Sequence, residues 1–425
     1  MKMLGKLAIE GGPPVRPVGL EYGSWHGLDG FGEEEVEAAL RVLRSRSLFR
    51  YYGPNLLRTV EEFEEAARVL LGCRHTVATS SGTAALRTAL AALGVGCGDE
   101  VIVPAFTFIA SVNAIVTMGA VPIFAEIDTS LGLDPQDVEA KITRRTAAIM
   151  PVHLDNTACD MASLLALARR HHVAVLEDAA QAMGVTYRGQ AAGTIGDIGA
   201  FSLQLDKNVT AGEGGLVATN DATLAIRAAR YQDQGGQFVT SSGRTRGTEA
   251  VEPFVGENLR MTEVAGAVAR VQTKRLSDLL RRQRANRARV MAGIGQPVGC
   301  TLRAIPDLDG DGGSSLHLFL EDKPTARRFV EAMRAEGIPA GQMYDGKPVY
   351  LTPSIVAKRT ASGKGGPWNC AEHPTAVEYY AGLCPKTEAL VARSAVVPIR
   401  STYSESDCDD VAAAVTKVTT AFAHA

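Results

Sequence analysis

Three short segments hold residue types whose spacing can do chemistry. Ser80-Ser81-Gly82-Thr83 stands between an apolar run, HTVATS, and a helical run, GTAALRTALAALG. Small hydroxyl residues and a glycine at a helix start expose backbone N–H groups. Such a start suits an anion such as phosphate, and equally suits an ordinary helix cap. In VAVLEDAAQAMG, Asp178 ends an apolar run, where the crevice of a βα unit opens. A carboxylate there can cap a helix, hold a metal or partner a cationic ring nitrogen. No cluster of ligand spacing accompanies it, so no metal site is expected. In GAFSLQLDKNVTAGEGG, Lys207 lies on a loop rich in Gly, Ser and Thr. A lysine whose pKa is lowered by burial forms Schiff bases, whereas an exposed one is a surface charge.

Each segment alone has a plain structural explanation. Together they form the set that pyridoxal 5'-phosphate (PLP) needs: a cradle for the phosphate, an acid for the pyridinium nitrogen and a lysine for the aldehyde.

The elements around these segments must position them. From about residue 75 to 220, short apolar runs alternate with helical patterns of ten to fifteen residues, which predicts βαβ units and a mostly parallel sheet. Residues 259–294 read as one long, increasingly basic helix, and a domain change is placed near residue 280. Residues 1–280 form a large domain, an α/β/α sandwich with its N-terminal segment near the site. Residues 281–425 form a smaller α+β domain, with a strand at 315–320, a helix at 324–337 and a final helix from SESDCDD onward. The Gly/Pro-rich stretch 360–374 exceeds the usual connection length, so it is functional or mobile. Its Trp368 and His373 either close over the site or pack locally, the second being the commoner arrangement.

Composition limits the alternatives. A length of 425 residues, with 21% charged and 46% hydrophobic residues, describes a globular protein of two or three domains. A net charge of −3 gives no electrostatic footprint for nucleic acid and no polybasic membrane patch. Residues 101–125, VIVPAFTFIASVNAIVTMGAVPIFA, carry no charge and are long enough to span a bilayer. Pro104 and Pro122 near the two ends, and β-branched residues in VIV and VPIF, predict a buried strand–helix–strand instead. The opening MKMLGKLAIEGG is too short and polar for a signal peptide, so a cytoplasmic location is expected. The seven cysteines are odd in number and include no C-x-x-C, so neither a disulfide framework nor a zinc site is expected.

SSGTAAL, PAFTFIASVNAI, EDAAQA, GAFSLQLDKNVTAGEGG and ENLRMTEVAGAV recur in order along the chain. In these motifs the sequence resembles the DegT/DnrJ/StrS-type sugar and aminocyclitol aminotransferases, of PLP fold type I in the aspartate aminotransferase superfamily. The resemblance implies that Lys207 carries the cofactor and later shuttles a proton. It implies that Asp178 pairs with the pyridinium nitrogen, Gln181 bonds the ring hydroxyl and Phe108 stacks on the ring. Ser81, Gly82, Thr83 and Ser202 would hold the phosphate. Asn258 would reach the phosphate of a neighbouring subunit, making a homodimer with active sites at the interface. His153, Asn156 and Tyr344 are the substrate-side candidates. The implied reaction takes an amino group from glutamate or glutamine, with pyridoxamine 5'-phosphate as the intermediate cofactor form, and gives it to a keto sugar or keto-cyclitol, as in aminoglycoside-like biosynthesis. A dehydrating relative has histidine at position 207, and FSLQ with Gln204 resembles the cyclitol branch.

The segment Asp155–Asp160 departs from the family's usual Gly-Gln type turn, and Met183 stands where His is frequent. The loop 236–254, with Arg244 and Arg246, either binds a substrate carboxylate or is a solvated flap. These features keep a second expectation open: decarboxylation, aldol, oxidative or cyclisation chemistry on an amino-acid-like substrate, with the same cofactor. A third, a PLP-binding regulator, is disfavoured by the complete Lys207, Asp178 and Gln181 set.

Overall fold

The structure is a computed structural model that describes residues 6–21, 26–236, 251–373 and 376–423. The chain enters through α1 (Glu33–Ser45) and α2 (Thr59–Leu71), then alternates strand and helix. β1 (His75–Thr79) leads to α3 (Gly82–Leu93), β2 (Glu100–Pro104) to α4 (Ile109–Thr117), and β3 (Val121–Ala125) to α5 (Pro135–Lys141). β4 (Thr146–Ile149), α6 (Met161–His171) and β5 (Ala174–Asp178) follow, then a small hairpin of β6 (Thr186–Tyr187) and β7 (Gln190–Ala191). β8 (Ile198–Ser202), β9 (Gly215–Thr219) and α7 (Ala222–Tyr231) complete the first unit.

The main sheet has the order β1-β9-β8-β5-β4-β2-β3. From β8 to β3 every pairing is parallel, and β9 runs antiparallel to both β8 and β1. Strand alternation divides the core between the sheet's two faces. Val101 and Val103 of β2 enter one buried cluster with Leu86 and Leu90, whereas Ile102 enters the other with Phe63 and Phe201. This is the α/β fold that the βαβ pattern predicts.

The uncharged run 101–125 is strand, helix and strand, as its breakers indicate. All five β2 residues are buried. Phe108, extended at φ −69° and ψ 143°, starts α4. Gly119, at φ 87°, turns the chain into β3, the sheet edge where Pro122 is tolerated. Among the described residues no helix is long and apolar enough to cross a membrane.

α8 (Glu263–Ile294) runs unbroken through residue 280. Its buried Glu263 accepts from the N–H groups of Thr59 and Val60, fastening it to the start of α2. Its far end joins a third cluster through Val290 and Ile294. That cluster underlies a three-stranded antiparallel sheet of β10 (Thr301–Leu302), β11 (Ser315–Phe319) and β12 (Ser394–Pro398). α9 (Lys323–Ala335), short α10 (Pro353–Val356), α11 (Pro385–Ala392) and α12 (Glu405–Ala423) complete the chain.

The cysteines require one correction. Cys97 and Cys370 form a disulfide across 273 residues. Spacing and parity could not show it, because the fold alone brings the two together. Cys73, Cys159, Cys384 and Cys408 are buried free thiols. The bridge fixes the Gly/Pro-rich stretch over the sheet edge. There Trp368 donates to the Tyr379 hydroxyl (2.9 Å), which in turn donates to the Pro122 carbonyl (2.8 Å). His373 is buried against Glu100 at 2.9 Å. Trp368 and His373 therefore pack locally.

Candidate active site

A cavity of about 570 Å³ opens beyond the C-terminal ends of the parallel strands, within the usual size of small-molecule sites. Ser81, Gly82, Thr83, Phe108, Asp178, Gln181, Ser202 and Lys207 all line it, so one site collects these cofactor-side candidates.

Ser81 is a helix cap, and it stands at the mouth of the cavity. Its side chain caps α3 by accepting from the Ala84 N–H at 3.1 Å. The first-turn N–H groups of Gly82 and Thr83 have no acceptor within the helix, and both residues line the cavity. A Cβ on Gly82 would sit 2.6 Å from the Ser202 Cβ. Only glycine lets the helix start and β8 approach closely enough to form this cradle.

Asp178 ends β5 and is 3% exposed. The Ser111 hydroxyl donates to its Oδ2 at 2.7 Å, and the Ala180 N–H donates to its Oδ1 at 3.1 Å. Burial raises its pKa, against the pull of these two donors and of the Lys207 charge. A carboxyl raised in this way gains from a cationic partner, as a pyridinium nitrogen is. Below it lies Glu177, which accepts from the N–H groups of Gly193, Ile195 and Gly196.

Lys207 follows the β8 turn. Burial lowers its pKa, and Asp178, Asp206 and Asp155 oppose the shift. That is the direction a Schiff-base lysine needs. Phe108 is 54% exposed, and its ring centroid lies 6.1 Å from that of Tyr344. The Gln181 amide has a fixed orientation. Its Oε1 accepts from the Asp155 N–H at 2.9 Å, and its Nε2 donates to the Tyr344 hydroxyl at 3.0 Å. One Nε2 hydrogen is left for a ring oxygen.

The substrate-side candidates divide. Tyr344 and Asn156 line the cavity. Tyr344 reaches it from the segment between α9 and α10, at φ 48°, and burial raises the pKa of its phenol. Asn156 Oδ1 accepts from Asn208 Nδ2 at 2.5 Å, joining the 154–156 turn to the lysine loop. His153 does not reach the wall. It is fully buried, with Nε2 2.8 Å from Glu177 and Nδ1 accepting from the Cys159 N–H. It supports the strand end beneath Asp178. Asn258 is exposed and does not line this cavity. Arg244 and Arg246 lie outside the described residues.

Among the wall residues to which the sequence assigns no role, four bear on the chemistry. Ser111 was legible only as a polar break in an apolar run. Glu213 sits within the glycine-rich motif. His26 carries no motif at all. Asp155 belongs to the departing turn, and the structure gives it a role. Asp155 and Asn156 take left-handed φ values of 50° and 59°, a conformation that Asp and Asn tolerate best after glycine. The Asp155 carboxylate then accepts from His317 Nε2 at 2.6 Å and from the hydroxyls of Ser315 and Ser314, all in or beside β11. Burial works to raise its pKa. The hydrogen bonds from His317 and Ser315, together with the Arg303 charge, outweigh that and hold it below the usual carboxylate range.

The residues fit PLP on the structure's own terms: a glycine-dependent anion cradle, a buried acid with raised pKa and a desolvated lysine face one cavity. Known proteins agree. The chain is 33% identical, over an alignment covering 97% of its length and 96% of the relative's, to an L-glutamine:2-deoxy-scyllo-inosose aminotransferase of Streptomyces kanamyceticus. It is 34% identical, over 90% of the chain and 94% of the relative, to the spore coat polysaccharide biosynthesis protein SpsC of Bacillus subtilis. A 43% match to a GDP-perosamine synthase of Caulobacter vibrioides spans 52% of the chain and 58% of that protein. Among solved structures, DesI in the presence of its TDP-sugar product superposes with a TM-score of 0.77 at 28% identity, covering 98% of this chain and 97% of that one. The sequence pattern of one family matches residues 30–416. The chain belongs to the DegT/DnrJ/EryC1/StrS aminotransferase family.

Proposed function

We propose that the chain transfers an amino group from glutamate or glutamine to a keto sugar or keto-cyclitol, with PLP as cofactor. The carrying observation is that Lys207, Asp178 and the Ser81–Thr83 cradle line one cavity. Bound there, PLP supplies an electron sink for the carbon that exchanges its amino group.

The protein's own groups do the rest. Lys207 Nζ would hold the cofactor's aldehyde and, when free, would be the base that takes and returns the proton. Asp178 holds positive charge on the ring nitrogen. The Gly82 and Thr83 amides and the Ser202 hydroxyl take the phosphate, and Gln181 Nε2 donates to the ring oxygen. Phe108 would cover one ring face, and Tyr344 lines the cavity from the chain after α9. The exposed Asn258 would serve a second copy, in a homodimer with shared sites. The large unit 1–280 and the small unit 281–425 are read as joined through α8, in an enzyme of the cytoplasm.

Absorbance tests the reading. The purified holoenzyme is expected to be yellow and to lose its visible band in Lys207→Ala. Glutamate or glutamine bleaches the band, and a ketone such as 2-deoxy-scyllo-inosose restores it. Failure to bleach with any amino donor, alongside turnover of one amino acid, would overturn transamination in favour of decarboxylation or related chemistry.

A further inference from the structure

His26 takes no part in the cofactor assignments above, yet it lines the same cavity. Its position is fixed through the backbone. The next residue, Gly27, donates its N–H to the Lys207 carbonyl at 2.9 Å. A Cβ on Gly27 would lie 2.8 Å from that oxygen and 2.9 Å from the Asn208 carbonyl oxygen. Glycine therefore lets the N-terminal segment dock on the lysine loop, carrying His26 with it.

The ring is 7% exposed, and Gln283 of α8 lies 3.2 Å away, its Nε2 against His26 Nδ1. Gln283 Nε2 also donates to the Ile399 carbonyl at 3.3 Å, which identifies that atom as the amide nitrogen. Nδ1 is then the acceptor, and the ring's single proton sits on Nε2, on the side away from Gln283. Burial lowers the ring's pKa and keeps it neutral near pH 7, against the pull of Asp155, Asp29 and Asp206. Among the described residues Nε2 has no hydrogen-bond partner.

We infer that His26 is a specificity-determining residue, donating its Nε2–H to an uncharged oxygen of the ketone substrate, with Gln283 as its positioning residue. The inference rests on the transamination reading. Asp155, Asp206 and Glu213 line the same cavity and make its surroundings negative. They disfavour a donor carboxylate at this spot and leave a ring hydroxyl as the acceptor of this bond. A polyol ketone offers several such hydroxyls, and a directional donor selects among its orientations.

The two half-reactions of the holoenzyme separate the possibilities. His26→Leu should raise KM for 2-deoxy-scyllo-inosose in the recolouring half about tenfold. Bleaching by glutamate or glutamine should stay within about twofold. His26→Gln, which restores an N–H at a similar reach, should recover most of the loss. Equal losses in both halves, a loss confined to the donor half, or an unchanged ketone KM overturns the inference. A second readout does not depend on turnover. With the histidines labelled in nitrogen-15, the His26 signals, assigned among eight histidines by their loss in His26→Gln, should report the neutral Nε2–H form and shift on adding the ketone. An Nδ1–H form, or no shift, overturns the inference. A wild-type protein that no donor bleaches overturns the transamination reading and leaves the tautomer result standing on its own.

Discussion

The two walls of the cavity are built by different means. The wall proposed for the cofactor comes from the ends of three strands: Ser81–Thr83 after β1, Asp178 ending β5 with Gln181 just beyond, and Ser202 ending β8 with Lys207 beyond it. Each side chain is aimed by a strand that is itself fixed in the sheet. The substrate wall is composite. His26 comes from the N-terminal segment, Asp155 and Asn156 from a left-handed turn, and Tyr344 from the segment between α9 and α10. Its geometry rests on side-chain bonds between these pieces, such as Asp155 to His317 and Gln181 to Tyr344. One wall is set by the sheet, the other by contacts that vary without disturbing the sheet. Chemistry common to a family belongs on the first, and choice of substrate on the second.

Substitutions on the cofactor wall should therefore affect both half-reactions together. The largest effect is expected for Lys207→Ala, a loss on the order of 10³-fold or more in turnover, with the visible band gone. Stopped-flow absorbance in each half checks it, and retained activity in either half would break the comparison. Asp178→Asn keeps the shape but removes the charge opposite the ring nitrogen. A loss of about 100-fold in both halves is expected, with the phosphate still held. Equilibrium binding of the cofactor measures the second point. A loss confined to one half would assign Asp178 to a substrate instead.

The same contrast explains what could be read from the sequence. The strand-end residues were legible because each lies in a contiguous motif and the β-α alternation gives it an address. Val101 to Ala125 resolved correctly because proline and β-branched residues mark the breaks in an otherwise uniform apolar run. His26 was invisible, because its place depends on Gly27 meeting the Lys207 carbonyl, a contact between segments 180 residues apart. His153 was attractive because it follows a strand toward the crevice. The register turns it inward to Glu177, and nothing local to PVHL specifies that. The Cys97–Cys370 bridge was hidden for the same reason as His26.

Acidification tests whether the substrate wall is the weaker one. Burial lowers the pKa of His317 below its ordinary 6.5, outweighing the pull of Asp155, with Arg303 lowering it further and Asp311 opposing. As the pH falls through that ordinary value, the unfolded chain takes the proton first. The stabilisation is thus full above about 6.5 and lost below it, at up to about 1.4 kcal/mol per pH unit for one proton. His26, also lowered, acts in the same direction. Asp155, held low, adds its loss only below the ordinary carboxylate range near 3.8. Urea midpoints between pH 7 and 5 should fall, and His317→Gln, which keeps a donor for Asp155, should flatten that slope. An unchanged slope would mean that the link between turn and β11 does not feel the proton.

Tyr344→Phe is the smallest expected change, and it falls where the two walls meet. The ring belongs to the substrate wall, lying beside Phe106 and Phe108. The hydroxyl belongs to the cofactor wall, because it accepts from Gln181 Nε2. Removing the oxygen keeps the ring and its packing and frees one hydrogen of an amide whose other face is still held by the Asp155 N–H. A single neutral hydrogen bond is worth about 1 kcal/mol, or roughly fivefold. Acting through Gln181, that loss should appear equally in kcat/KM for donor and ketone, with a small shift of the cofactor's visible band. Acting as a direct contact to the ketone, the hydroxyl would instead change only the recolouring half and leave the band in place. The equal loss is expected, since the Tyr344 oxygen already engages the amide that faces the ring, and a substrate contact would have to compete for it.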